Sequence, residues 1–371
     1  MLYRPAYCTR EEVARALNIG LVGSDFSKID RAVQSAADSL DRLCKRKFYY
    51  TTATYSIDWP NYQYAYPWRL WLNQYELAGQ PSLVVSGPYL PTPLVIPSSN
   101  YILQPINDGP PYTNIELRRD QNSAFGNNTT PQNDIQITGP FGYWMLTQSA
   151  GTVTASVAPS DVVLQVSSGA SPGVGDVVNL DIERMIVTDS TFTSTGVPFL
   201  TGITSAQSND NIGTVTNGVN FSVDEQIMVD FEIMLITQIF GNTIIVKRAF
   251  GGSILNTHSA GNIWARRQVS VLRGQLGTAA AVHSQNAPIT IAQIPGLVKQ
   301  LAIAEAVTWP NLEAGGYSGA ASGFGMGAGA GISQGQTGSG EAKEPAYGAA
   351  LPDLRMQVLE QYGRQSRSAV I

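Results

Sequence analysis

The groups best suited to chemistry in this chain occur twice. Its only histidines, His258 and His283, each close a segment that opens on an arginine: residues 248–258 read RAFGGSILNTH and residues 273–283 read RGQLGTAAAVH. The two segments lie 25 residues apart, which aligns Gly252 with Gly277 and Ser253 with Thr278. Upstream, residues 174–189 align without a gap to 223–238 at a spacing of 49, matching Asp181 to Asp230, Glu183 to Glu232 and Met185 to Met234. Glu183, Arg273 and His283 are therefore repeated as Glu232, Arg248 and His258. A glutamate beside a histidine can exchange protons with a substrate. Here, however, no Ser or Asp arrangement completes a triad, and a metal site needs more ligands. Glycoside hydrolysis needs two carboxylates facing each other, whereas Glu183 and Glu232 occupy equivalent places in separate units. Repetition at matched positions favours a structural role, with each arginine pairing with its glutamate across a sheet or holding the glycine turn. No catalytic, cofactor-binding or metal-ligating residue is assigned. Cys8 and Cys44, the only cysteines, are too few for a disulfide scaffold or a cysteine zinc site, and Cys44 falls on an apolar stripe as a core thiol.

Two spacings with opposite internal order imply that one unit is nested inside the other. Module A is expected at 152–190 plus 266–291, and module B at 202–265, inserted where A should have a hairpin turn. In each module Glu183, Met185, Val187 and Glu232, Met234, Ile236 alternate with Ile182, Arg184, Ile186 and Phe231, Ile233, Leu235, as strands with two different faces do.

Other elements surround these modules. Thr9 with Glu12 forms a capping-box pattern that predicts a helix from about Arg10 to Leu17, stopped by Gly20 and Gly23. Ile29, Val33, Ala36, Ala37, Leu40, Leu43 and Cys44 then predict a helix from about Lys28 to Lys47, with Asp30, Arg31, Asp38, Asp41, Arg42 and Lys45 on its wetter side. An aromatic run from Trp59 to Tyr75 follows, and short strands are expected at 82–85, 101–104, 114–117 and 134–137. Pro295 opens a helix over 295–310 that Pro310 should end. Residues 313–345 are a flexible Gly, Ala and Ser segment, and a last amphipathic helix runs from Pro352 to about Tyr362. Leu354, Val358, Leu359 and Tyr362 form its apolar face, which suits docking in a partner, in a neighbouring subunit or on the N-terminal helices. The fold class is α+β: a helical domain with a strand-rich extension over 1–145, two nested all-β modules, and C-terminal helices reaching through 350–371.

Composition narrows the function. The 371 residues carry 23 Lys and Arg against 28 Asp and Glu, a net charge of −5, and only 14% are charged. No run of eighteen apolar residues is present and the N-terminus lacks an apolar leader, which argues against a membrane span or secretory signal and for a protein made in the cytoplasm. Between Arg119 and Lys247 the only basic residue is Arg184, so the middle of the chain offers no surface for tracking phosphates.

The start TREEVARALNI, then IDRAVQSAADSLDRLCKRKF, Trp59-Pro60, Trp71-Leu72 and ITGPFGYW at 137–144 resemble the head-to-tail adaptor (head completion or connector) proteins of tailed bacteriophages. The resemblance covers roughly 1–145 and the helix over 295–310. The modules also resemble β inserts of phage structural proteins, through Gly175, Asp176, Glu183, Arg273, Gly274, Gly277, Thr278 and His283; module B departs at Asp224, Glu225, Ala249 and Ser253. What the resemblance implies is a virion protein of the neck without turnover chemistry. It would form a homo-oligomeric ring, commonly of twelve copies, beneath the portal, joined to a stopper or tail-completion protein and passing viral double-stranded DNA with weak contact. Leu354, Val358, Leu359 and Tyr362 would then meet the portal, and Arg364 and Arg367 would approach the DNA channel. Other classes remain open: a tail-fibre or carbohydrate-binding protein using Trp68 and Trp71 as platforms, or a neighbouring stopper in the neck.

Overall fold

Thr9 and Glu12 begin the first helix by serving each other. The Glu12 amide donates to Thr9 Oγ1 (3.2 Å) and the Thr9 amide donates to the Glu12 carboxylate (2.9 Å), so two backbone donors at the helix start are satisfied and α1 (Arg10–Leu17) follows. The computed structural model describes residues 4–17, 23–60, 66–126, 128, 130–258, 261–314 and 351–364. The second helix, α2 (Gly23–Cys44), starts earlier than its apolar stripe predicts, and Gly23 lies at its start instead of ending α1. The stripe marks where burial begins, and hydrogen bonding extends beyond it. α2 also stops earlier, because Lys45 turns left-handed (φ 52°). Ile29, Val33, Ala36, Leu40 and Cys44 are buried as the periodicity requires. Asp30 is not on the wetter side, since it lies buried beneath Arg10.

The N-terminal strands are β1 (Thr51–Ile57), β2 (Arg69–Trp71), β3 (Leu83–Ser86), β4 (Leu94–Val95), β5 (Tyr101–Gln104), β6 (Asn114–Leu117) and β7 (Ile135–Phe141). They make a four-stranded sheet ordered β1-β7-β3-β4 and a three-stranded sheet ordered β2-β6-β5. Leu70, Leu77, Ile115, Ile135 and Ile137 form the core between them.

Ten further strands run from β8 (Thr147–Thr152), β9 (Val163–Gln165) and β10 (Val177–Leu180) through the long β11 (Glu183–Thr201). Next come β12 (Ile212–Val215), β13 (Gln226–Val229), β14 (Glu232–Phe240), β15 (Thr243–Lys247), β16 (Asn262–Leu272) and β17 (Pro288–Ala292). Because β11 also pairs with β16, the order β11-β12-β15-β14-β13-β16 closes on itself as a six-stranded barrel. The remaining strands build a second ring of the same topology, β11-β10-β17-β8 on one side and β16-β9 on the other. Its seam is joined by a bridge between Val153 and Val166, with the Thr154 amide donating to Gln165 O (2.8 Å). We call this ring barrel A and the closed one barrel B.

Strand by strand, the spacing of 49 maps β8 onto the second half of β11, β9 onto β12, β10 onto β13 and the first half of β11 onto β14. The spacing of 25 maps β15 onto the second half of β16, and the first half of β16 onto β17. The sequence-level bounds at 190/202 and 265/266 thus fall along two strands that pass uninterrupted from one barrel into the other, and each barrel begins one strand earlier than those bounds. Glu183, Met185, Val187 and Glu232, Met234, Ile236 point into the barrels and are fully buried. β11 starts at the far end of barrel A and finishes at the far end of barrel B, a path of about 60 Å at the usual rise per residue. We call these far ends pole A and pole B.

Two C-terminal helices complete the molecule, α3 (Gly296–Ala314) and α4 (Leu351–Tyr362). α3 continues through Pro310, because the missing N–H removes one helical bond while the proline φ still suits a helix. Val33, Leu40, Leu301, Ala302 and Val358 share one core with Val178, Leu180 and Val187 of barrel A. The helical layer therefore packs directly on that barrel. None of the described helices is long and apolar enough to cross a membrane.

Candidate functional site

Each pole is plugged by the repeated residues. In barrel A, Glu183 is the first inward residue of β11 and takes a bidentate pair from Arg273, Nε to Oε1 and Nη2 to Oε2, both at 2.8 Å. The amides of Gly274 and Ala281 donate to the same carboxylate at 2.9 Å each, and His283 Nε2 lies 2.9 Å from Oε2. The other ring nitrogen, Nδ1, is 2.7 Å from Asp181 Oδ2, so the imidazole bridges two carboxylates. Arg273 spends its remaining donors on the carbonyls of Ala158, Asp161 and Ala281, each at 2.7 Å.

Barrel B repeats this set. Arg248 holds Glu232 at 2.7 Å through both nitrogens, the Ala249 and Asn256 amides donate at 3.0 and 2.9 Å, and His258 spans Glu232 (2.8 Å) and Asp230 (3.1 Å). Arg248 also donates to the carbonyls of Asp210 (2.8 Å), Ser205 (3.1 Å) and Asn256. Burial opposes charge on Glu183, but Arg273, His283 and the two amides outweigh it and bring its carboxyl down to about 2. Glu232 reaches about 2 in the same way, with Arg248 and the Ala249 and Asn256 amides outweighing burial. These carboxylates stay ionised with their lone pairs engaged. The geometry makes each a clasp that ties a hairpin turn, a glycine loop and an incoming strand together at a pole.

The glycine loop of pole A docks onto the N-terminal sheet. Thr52 donates its amide to Leu276 O (3.0 Å), while Arg184 donates to Thr52 Oγ1 (2.6 Å) and Leu276 O (2.8 Å) and lies 4.1 Å over the Tyr50 ring. Burial lowers the pKa of Arg184, which is held by oxygens and an aromatic face without a carboxylate. A Cβ on Gly277 would fall 1.8 Å from Thr52 O, so this approach requires glycine.

At the waist between the barrels, α1 acts as a clamp that the sequence did not announce. Arg10 pairs with Asp30 (2.8 Å) and Asp189 (2.8 Å), Glu11 accepts from the Val174 amide (2.9 Å), and Arg15 meets Asp224 (3.0 Å). Arg266 lies over the rings of Phe192 (4.8 Å) and Phe26 (5.7 Å). These partners are as far as 240 residues apart, Phe26 from Arg266, and no local spacing signals such a contact. A cavity of about 660 Å³ beside the waist is lined by Ser149, Thr154, Ser168, Ser222 and Arg267, and Arg267 is itself bound to Glu225 (2.6 Å).

The remaining sequence candidates occupy different places. Val358 is fully buried within this chain, Leu354 and Tyr362 pack beside it, and Leu359 remains 38% exposed. Arg364 pairs with Glu76 (3.0 Å), and Arg367 lies outside the described residues, as does most of 313–345. Guanidinium groups lie over the proposed sugar platforms, Arg119 over Trp68 (4.9 Å) and Arg69 over Trp71 (5.5 Å). No group of three potential metal ligands converges among the described residues. No family model matches the chain, and no curated protein or solved structure matches it.

Proposed function

We propose that this protein is a structural subunit of a tailed-bacteriophage neck, forming a head-to-tail adaptor ring below the portal that joins the capsid to the tail and surrounds the exiting DNA. The resemblance of residues 1–145 and 295–310 to adaptor proteins is the starting point. The observation that carries the reading is the use made of the repeated Glu–Arg–His sets: each is spent on holding a barrel pole, as suits a rigid connecting part. The segments that resemble adaptors, α1, α2 and α3, pack as one layer with α4 against barrel A. Arg184, the only basic residue between Arg119 and Lys247, is buried, which leaves that stretch without an exposed cation to grip passing DNA.

Cryo-electron microscopy of virions or purified necks tests this directly. The expected result is a ring of this chain in the layer below the portal, with α1 to α3 in its wall. Absence from that layer, with density for the chain at distal fibres, would overturn it.

A further inference from the structure

Arg266 is a buried cation whose partners do not match its charge. Among the described residues Arg10 and Arg248 are buried against carboxylates, and Arg184 is ringed by oxygens of Tyr50, Thr52 and Leu276. Arg266 is 7% exposed and has no carboxylate at ion-pair distance among the described residues. Its Nη1 donates to Ser190 O (3.1 Å) and Ser190 Oγ (3.2 Å), while Nε is enclosed without a partner. A buried guanidinium so short of acceptors is costly, and its retention needs a physical reason.

The reason lies one residue from Ser190. Asp189 is bound to Arg10 Nη1 (2.8 Å), and Arg10 and Arg266 share the Phe26 ring at 4.5 and 5.7 Å. Burial lowers the pKa of Arg266, and Glu11 and Asp189 act against that from outside ion-pair distance. Glu11 is committed, since it accepts the Val174 amide (2.9 Å) and the Ser190 hydroxyl (3.2 Å). Asp189 is not. Arg10 also holds both oxygens of buried Asp30, at 2.8 and 2.9 Å, so it stays paired when Asp189 leaves. The Asp189 side chain is 42% exposed and has room to turn. The backbone is interrupted at the same place: the β11–β16 ladder skips Thr188 before Asp189, and then skips Phe192 on one strand against Arg266 and Arg267 on the other. Such bulges bend a strand and loosen its ladder locally.

We propose that the waist is a two-position hinge in which Asp189 exchanges between Arg10 and Arg266, tilting barrel B on barrel A as it does so. In the position described above, Asp189 ties β11 to α1. In the other it ties β11 to β16, and α1 keeps the waist only through Glu11 and the pair of Arg15 with Asp224. Asp189 has one guanidinium in either position, so the two lie close in free energy and the barrels take two preferred angles. The inference concerns the waist alone and stands whether or not the chain forms a neck ring.

Double electron–electron resonance on the full-length protein reads the angle. Spin labels are placed through Val162→Cys and Ile254→Cys, at exposed residues of barrels A and B, while the natural Cys8 and Cys44 are buried. Two distance populations are expected, the smaller about a tenth of the total or more. Asp189→Asn removes the exchanged charge and Arg266→Met removes its second holder, so each should reduce the smaller population at least fivefold. Arg266→Met replaces a poorly paired buried cation with an apolar chain and should leave the melting temperature no lower, which keeps the test readable if Asp189→Asn loosens α1. A single distance in the labelled protein would overturn the proposal. So would two distances whose proportions survive Arg266→Met, which would place the hinge elsewhere.

Discussion

A carboxylate inside a β-barrel is costly to bury, and Glu183 and Glu232 offset that cost with a bidentate guanidinium, two amides and an imidazole apiece. Removing the charge strands the arginine, so Glu232→Gln should cost about 3–5 kcal/mol in urea unfolding, and Glu183→Gln a similar amount. The pH dependence has two parts. Both glutamates are lowered from 4.5 to about 2, so their contribution is complete above about 4.5 and is lost as pH falls towards 2. Asp176 and Asp41 behave oppositely: burial raises them from 3.8 to about 7 and about 6, so the folded state holds their protons more tightly and gains stability as pH falls from 7 towards 4. Melting temperature plotted against pH should therefore rise as pH falls from 7, peak at roughly 4 to 4.5 and fall below that. Asp176→Asn should flatten the limb between pH 7 and 5 and leave the acid limb in place.

At the scale of elements, one loop type meets two environments. Gly277→Ala drives a Cβ into Thr52 O at 1.8 Å and should detach β1 from pole A, at a cost of about 3 kcal/mol or more. Gly252→Ala meets no atom of the described residues within 4 Å and should cost only the left-handed strain, about 1–2 kcal/mol. Thermal unfolding of the two variants side by side measures the difference. The repeat made both loops legible beforehand: the alignment of Gly252 with Gly277, and of Glu183 with Glu232, follows directly from chain spacing. The inward face of β11 and β14 was legible for the same reason, since alternation has a period of two. The capping of α1 was equally local. What spacing left hidden was long-range. The first strand of barrel A carries little apolar periodicity, Thr147 to Ser149 being exposed, and so was left between domains. Asp30 sits on the polar side of its helix by pattern, and only the fold reveals Arg10 above it. The Arg184 joint joins residues more than a hundred positions apart, beyond the reach of any local rule.

For the whole molecule, the helical layer and barrel A fold around a single core, and α4 closes one side of it. Val358→Asp would place a charge at a fully buried site and should lower stability by about 3 kcal/mol or more, with added dye binding to the uncovered apolar surface. Calorimetry with a fluorescence readout checks both. The shared strands β11 and β16 set the mechanics of the barrel pair. Their ladder runs antiparallel along most of their length, so tension applied between the poles loads its hydrogen bonds in shear, many at a time, in place of unzipping them singly. Two covalent backbones cross the waist where a tethered pair of domains would have one flexible linker. The register shifts between Val187 and Pro198 are the places where the ladder is interrupted, so the pair should resist stretching as a stiff strut while any bending concentrates in that short stretch.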